Sequence, residues 1–332
     1  MKIIIPMAGM GKRMRPHTLT TPKPLIRFAG KSIVEHLIGQ ISQSVNEPID
    51  EIAFITGHFG QKTEDDLKQA AKNIGAKASI YYHEEALGTA HAILCAAPSL
   101  QGPLVVAFAD TLFYCSNKLD TTQDSVIWTK RVPDPSAFGV VLTDASRNIT
   151  GFVEKPKTPV SDLAIIGIYF FKDGNNLKNE LQYLIDHDVR KGNEYQLTDA
   201  LQNMMQKGIR FYSETVDEWL DCGNKEATVQ THACVLQHQG NSVDSAATIE
   251  NSVIVPPCHI EAGAFISHSV VGPYVTVDAG SRIEHSVVSN SIVQKNVRIK
   301  DLVLHRSMLG NDACAQDTAR VLNLSDFSGM EV

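Results

Sequence analysis

Residues 2–25 (KIIIPMAGMGKRMRPHTLTTPKPL) carry the densest set of side chains able to do chemistry. An apolar run at residues 3–5 has the length of a buried strand, and after it come Gly9, Gly11, Lys12, Arg13, Arg15 and a Pro-Lys-Pro centred on Lys23. A strand, a glycine loop and concentrated positive charge make a phosphate site: glycine lets backbone N–H groups approach an anion, and the cations balance several phosphates. The alternative is a basic loop with no ligand. Downstream, residues 103–113 (PLVVAFADTLF) read as one continuous apolar strand closed by a lone acid, Asp110. Such a carboxylate either caps the next turn or holds a hard cation such as Mg²⁺ at the carboxyl end of a sheet. Glu154 and Lys155, adjacent in a strand, point to opposite faces, so each needs its own partner. Gly167 interrupts the apolar run 163–171, where a side chain would hinder something close by.

The elements that position these residues alternate. Residues 32–44 carry apolar side chains at 33, 34, 37, 38 and 41, a helical stripe, and Ser32 with Glu35 makes a capping box. Residues 51–57 predict a strand, 63–74 a helix, 78–82 a strand, and 85–90 (EALGTA) break at Gly88 into a helix reaching Ala97. This order argues for a parallel sheet covered by helices, with ligands beyond the carboxyl ends of its strands. The loop at 9–15 lies at that end.

Two familiar glycine motifs do not fit. The dinucleotide fingerprint needs a small residue where Met14 stands, and the P-loop needs Gly at Pro6 and Ser or Thr at Arg13. What remains, G-x-G-K-R-x-x-P followed by T-P-K-P-L, resembles the sugar-1-phosphate nucleotidyltransferases, or nucleotide-diphospho-sugar pyrophosphorylases. Further segments resemble the same family in the same order: residues 131–141 (RVPDPSAFGVV), 151–156 (GFVEKP), 192–200 (GNEYQLTDA) and 218–224 (EWLDCGN). The resemblance implies that the loop with Ala8, Gly9, Gly11 and Lys12 wraps a nucleoside triphosphate, and that Leu87, Gly88 and Thr89 lie against its base. Arg13 would steady the leaving pyrophosphate and Lys23 would contact phosphate. Gly139, Gly167 and Glu194 would face the sugar, Glu154 would take its hydroxyls and Lys155 its phosphate. Asp110 and Asp221 would share Mg²⁺, although only the fold can bring them together. Asp199 is expected to cap a helix reaching Lys207. The sugar phosphate is already ionised at pH 7, so the lack of a Ser-His-Asp or Cys-His constellation is expected.

The 332 residues suffice for two domains, and 43% hydrophobic with 20% charged residues is the balance of a globular protein. A net charge of −7 argues against general nucleic-acid binding, so the loop's positive charge is read as local and compatible with a small anionic substrate. Six cysteines lack C-x-x-C spacing, no secretory leader precedes the first strand, and no apolar run approaches the roughly 20 residues of a membrane span. These features suggest a reduced, cytoplasmic protein without membrane contact.

From about Ser242 aliphatics recur every six residues, as in Val271, Val277 and Ile283, Ile249 and Val255, Ile260 and Ile266, and Val287, Val293 and Ile299. That period belongs to the left-handed parallel β-helix of hexapeptide-repeat proteins, here about three or four coils. The class includes acyltransferases, but His259, His268, His285 and His305 are read as solvated corner residues, and the solenoid as a homo-oligomer contact with residues 321–324 as its cap. The expected architecture is α/β: a Rossmann-like nucleotidyltransferase domain with a mixed, mostly parallel sheet (1–235), a short left-handed β-helix (243–316) and a tail (317–332). The expected reaction joins a nucleoside triphosphate to a sugar 1-phosphate, with dTTP and glucose 1-phosphate as first choice. GTP with mannose 1-phosphate, UTP with glucose or N-acetylglucosamine 1-phosphate, added acyl transfer, and a non-catalytic nucleotide-sugar-binding regulator are the alternatives.

Overall fold

The isoleucines after Lys2 form the strand Lys2–Pro6, with Ile3, Ile4 and Ile5 fully buried, and it pairs in parallel on both sides, with Glu51–Thr56 and Leu104–Ala107. A strand buried on both faces must be apolar throughout, which explains the lack of alternation. In this computed structural model residues 1–158 and 160–318 are described. The chain divides into two units, one of Met1–Ile26 with Lys31–Ala227, the other of Arg27–Gly30 with Thr228–Val332. Among the described residues no helix is long and apolar enough to cross a membrane.

In the first unit the parallel strands extend through Lys77–Tyr82, and the sheet continues beyond Leu104–Ala107 with the antiparallel strands Leu163–Phe171, Gly139–Thr143 and Ile149–Glu154. Ser125–Arg131 also pairs with Leu163–Phe171, and Phe211–Thr215 joins it in parallel. The helices are α1 (Ile33–Ser44), α2 (Gln61–Lys72), α3 (Thr89–Leu94), α4 (Gly174–Asp186) and α5 (Leu197–Gln206). α1 begins at the expected capping box, the Ser32 N–H donating to Glu35 Oε2 at 2.8 Å and the Glu35 N–H to Ser32 Oγ at 3.4 Å. α5 starts three residues earlier than an Asp199 cap would place it. Gln196 is its N-cap, and Asp199 sits in the first turn.

Residues 103–113 are not one strand. Leu104–Ala107 stays in the main sheet, the Thr111 N–H donates to the Phe108 carbonyl at 3.3 Å, and Thr111–Tyr114 then pairs antiparallel with Glu218–Asp221 in a separate two-stranded sheet. Asp110 therefore stands in the turn between two sheets rather than at the end of one.

The second unit contains three parallel sheets of five, five and four strands, stacked as the sides of a β-helix. Its coils are shorter than six-residue steps on three sides would give. One inward column repeats every 17 residues (Ile249, Ile266, Ile283) and then every 16 (Ile283, Ile299, Ala315). The shortening occurs at corners where a residue takes a left-handed backbone: Asn251, His268, His285 and Asp301 along one edge, with φ of 46°, 49°, 48° and 55°, and in the later coils also Asn290 and Arg306 along the next, with φ of 47° and 50°. Each turns the chain within a five-residue step, so Val288 and Ile254 pack inward where the six-residue pattern put Val287 and Val255. His259 and His305 are also displaced from the expected corners, into strands. The same offset turns Val253, Val270, Val287 and Val303 outward, stacked in register and 57%, 37%, 42% and 79% exposed. Residues 321–324 lie outside the described residues.

One carboxylate in this unit is out of balance. Asp278 is 1% exposed, and neither of its oxygens has a hydrogen-bond partner. Burial, reinforced by the nearby Glu261, pushes its carboxyl up to about 6. Glu261 shows the reverse, held down to about 2 by His259, whose Nε2 lies 3.9 Å from its Oε1, with burial opposing and the Ala279 N–H and Arg27 assisting. A carboxyl whose pKa is raised on folding is favourable while protonated, below its unfolded value near 3.8, and that contribution is lost as pH rises to about 6. Asp278→Asn should therefore stabilise the β-helix at pH 7, by on the order of 2–3 kcal/mol, and have little effect at pH 4. Hydrogen exchange across the coil containing Asp278, at both pH values, measures this, and equal protection in the two proteins at pH 7 would refute it.

Candidate active site

The glycine loop is shaped by its own hydrogen bonds. Gly11 adopts φ 56°, and its carbonyl accepts from the Met14 N–H at 2.9 Å and from Thr18 Oγ1 at 2.8 Å. A Cβ at residue 11 would lie 3.0 Å from Thr18 Cγ2 and 3.1 Å from Lys23 Cβ, so glycine is needed for both conformation and space. Lys12–Met14 form one 3₁₀ turn in which Met14 is fully buried and Lys12 and Arg13 face solvent. The buried methionine is thus the anchor that turns two cations outward. Thr18 was not singled out from sequence, where a hydroxyl among three threonines gives no sign of closing the loop.

Lys23, in the 3₁₀ turn Lys23–Leu25, reaches across to Asp110, its Nζ donating to Oδ2 at 2.7 Å. The Asp110 carbonyl accepts from the Cys222 N–H at 2.9 Å, and Asp221 is the register partner of Thr111, so the two-stranded sheet brings both acids to one end. Asp221 Oδ1 accepts from the Gly223 N–H at 2.8 Å. Arg13 joins this group: its Nη2 lies 3.2 Å from where a Gly223 Cβ would stand, and the Asp221 carboxylate 2.9 Å from the same point. Arg13, Lys23, Asp110 and Asp221, scattered over the sequence, share one corner of the first unit.

Arg13, Lys23 and Asp110 border a cavity of ≈ 1130 Å³ beyond the carboxyl ends of the parallel strands. Ala8, Gly9, Gly11, Lys12, Arg13, Lys23, Gly88, Thr89, Asp110 and Glu194 line it. Gly88 is required by close approach: with φ 112°, a Cβ there would lie 2.5 Å from the Tyr195 carbonyl oxygen. The Tyr195 N–H donates to the Leu87 carbonyl at 2.8 Å and the Leu197 N–H to Thr89 Oγ1 at 2.9 Å, which binds the loop before α3 to the segment carrying Glu194.

Leu87, Gly139, Glu154, Lys155, Gly167 and Asp221 are not among the lining residues. Leu87 packs its side chain against the core and contributes only backbone here. Gly139 and Glu154 are cross-strand partners, with Glu154 Oε2 3.1 Å from the Gly139 Cβ position. Burial, with the charge of Glu154 adding to it, pushes the Tyr169 hydroxyl above its usual range, so it stays protonated. Gly167 adjoins the cavity through Phe108, whose N–H donates to the Gly167 carbonyl at 3.0 Å. Lys155 lies past the end of its strand with φ 44°, its side chain exposed, so the strand-face argument for it does not hold. Asp199 is raised by burial, with Lys191 opposing.

Comparisons with known proteins agree with this geometry. The family model described as nucleotidyl transferase matches residues 2–238, and that described as GlmU-like, C-terminal hexapeptide matches residues 222–313. The low-salt glycan biosynthesis nucleotidyltransferase Agl11 of Haloferax volcanii is 28% identical over 265 residues, 76% of this chain and 72% of that protein. Glucose-1-phosphate thymidylyltransferase of Streptomyces antibioticus is 28% identical over 290 residues, 79% of this chain and 78% of that one. The bifunctional protein GlmU of Methanococcus maripaludis is 31% identical over 224 residues, 68% of this chain but 52% of the relative, so the match spans about half its length. In fold, the nucleoside-diphosphate-sugar pyrophosphorylase from Vibrio cholerae RC9 superposes with a TM-score of 0.59 at 19% identity, covering 69% of this chain and 98% of that one. With a family match over residues 2–238, and the glycine loop and Asp110 meeting at one cavity, the chain belongs to the nucleotidyl transferase family and carries a GlmU-like hexapeptide β-helix after its transferase domain in sequence.

Proposed function

We propose that the protein transfers a nucleotidyl group from a nucleoside triphosphate to a sugar 1-phosphate, releasing pyrophosphate, with dTTP and glucose 1-phosphate as its substrates. The observation that carries the reaction is the meeting of Lys12, Arg13 and Lys23 with Asp110 at one cavity, with Asp221 on the strand paired beside it. In this reaction a sugar phosphate oxygen attacks the α-phosphorus and the bond to the β-phosphate oxygen breaks. Since the nucleophile is already an anion, the work of the protein is charge neutralisation and alignment. Lys12, Arg13 and the loop N–H groups would hold the triphosphate, and Arg13 would meet the charge that grows on leaving pyrophosphate. Gly88 and Thr89 would floor the base, while Glu194, Gly139, Glu154 and Gly167 would hold the sugar and Lys155 its phosphate. Asp110 and Asp221 offer oxygen donors on paired strands, the set that a hard divalent cation takes, and they would hold Mg²⁺. Bound there, the ion would draw negative charge from the reacting phosphates. Lys23, bonded to Asp110, would keep that carboxylate oriented.

The choice of dTTP and glucose 1-phosphate is supported by the Streptomyces relative, whose match extends over comparable shares of both chains. Homo-oligomer formation through the β-helix is supported by the outward column Val253, Val270, Val287 and Val303, an exposed apolar strip along one side.

A matrix of nucleoside triphosphates against sugar 1-phosphates, with pyrophosphate release as readout and Mg²⁺ present or chelated, tests the reaction. The expected result is strongest, Mg²⁺-dependent turnover with dTTP and glucose 1-phosphate. A different best pair corrects the substrates, and silence throughout would favour the regulatory reading. In the same assay Asp110→Asn and Asp221→Asn should each lower kcat by about 10²-fold or more, and Arg13→Ala by about 10²-fold, with far-UV circular dichroism unchanged. Unaltered turnover in both aspartate variants would sink the proposed roles. For assembly, Val270→Glu with Val287→Glu should convert the oligomer to monomer by light scattering, and a wild-type protein that is already monomeric would count against it.

A further inference from the structure

Three metal-ligating side chains gather in the first unit with no part in nucleotidyl transfer. His83 directly follows the strand Lys77–Tyr82, where its N–H donates to the Thr56 carbonyl at 2.9 Å. His91 lies in α3, and Cys95 continues that helix with φ −55° and ψ −27°, so the two stand one turn apart on one face. His83 Nε2 and His91 Nδ1 are 3.1 Å apart, and a ligand atom from each histidine and Cys95 Sγ all lie within 4.8 Å of one another. All three residues are half-buried.

Metal–nitrogen bonds of about 2.0–2.1 Å and metal–sulfur bonds of about 2.3 Å put tetrahedral ligand atoms roughly 3.3–3.7 Å apart. The histidine pair at 3.1 Å is just short of that spacing and no pair exceeds 4.8 Å, so small side-chain rotations would reach it. Two imidazoles and a thiolate form the donor set of borderline cations such as Zn²⁺ and Co²⁺, which Mg²⁺ does not favour. An ordinary histidine–histidine hydrogen bond would account for two of these residues. The Cys95 thiol donates to the His91 carbonyl at 3.4 Å, a bond along the helix that leaves the sulfur lone pairs available to a metal.

We infer that His83, His91 and Cys95 form a three-ligand site for a borderline divalent transition metal, Zn²⁺ or Co²⁺, with a fourth position open. Binding would replace the Cys95 S–H bond by a sulfur–metal bond, the proton passing to solvent. Because His83 also lines the substrate cavity, the site sits in its wall, on ligands separate from Asp110 and Asp221.

Co²⁺ alone, titrated into metal-stripped full-length protein in excess Mg²⁺, tests this by absorbance. The expected result is one equivalent bound, with a thiolate-to-cobalt charge-transfer band and the visible bands of four-coordinate Co²⁺. Cys95→Ser should abolish the charge-transfer band, while Cys314→Ser, at an exposed cysteine, should keep it. His91→Gln should weaken binding by roughly 100-fold or more, since even outer-shell changes cost about 10–100-fold. A band that survives Cys95→Ser, or wild-type protein that binds Co²⁺ without one, would overturn the site. X-ray absorption of the Zn²⁺-loaded wild type decides independently of any variant: one sulfur and two imidazole nitrogens support it, and an oxygen-only shell refutes it.

Discussion

Two carboxylates far apart in the chain stand at the end of one small sheet, and like charges brought together must be compensated. Unit charges of one sign about 4 Å apart repel by roughly 4 kcal/mol at an effective dielectric near 20. Lys23 on Asp110, and Arg13 beside Asp221, supply that compensation from the glycine loop. The loop and the acids are therefore one electrostatic unit, and neither is arranged sensibly without the other. The backbone serves the same end: the turn at Asp110 leaves the main sheet so that Thr111–Tyr114 can pair with Glu218–Asp221.

The polar half of this arrangement was legible in the sequence because its residues are local and unusual. Gly9, Gly11, Lys12, Arg13 and Lys23 fall within one short stretch, and the capping box at Ser32 and Glu35 needs only residues three apart. Less could be read where tertiary pairing decides. An apolar run such as residues 103–113 carries no mark of the point at which it leaves one sheet for another, because both strands are equally buried. Lys155 looked like a strand residue until a left-handed backbone placed it beyond the strand end, and Leu87 looked like a base contact although its side chain belongs to the core.

The β-helix shows the same limit in another form. A six-residue period reveals the architecture, since a solenoid repeats its environment, but it assumes that every corner takes the same length of chain. His268, His285 and Asp301 turn more sharply, and a slip of one residue exchanges the inward and outward faces of a strand. Val287, which pattern alone assigned to the interior, thus stands in an exterior column with Val253, Val270 and Val303, and in composition these cannot be told from the valines inside.

The short segment Arg27–Gly30, which belongs with the second unit although it lies near the chain's beginning, bears on how the protein is made. The Ala29 N–H donates to Thr276 Oγ1 at 2.9 Å, across 247 positions of sequence, and Phe28 beside it is fully buried. At about 5–20 residues per second on a ribosome, that interval is roughly 10–50 s during which the segment has emerged and its hydroxyl acceptor has not. One of the first turns to emerge is among the last to be completed, and a nascent chain stalled before Thr276 holds that backbone donor open to solvent or to a chaperone.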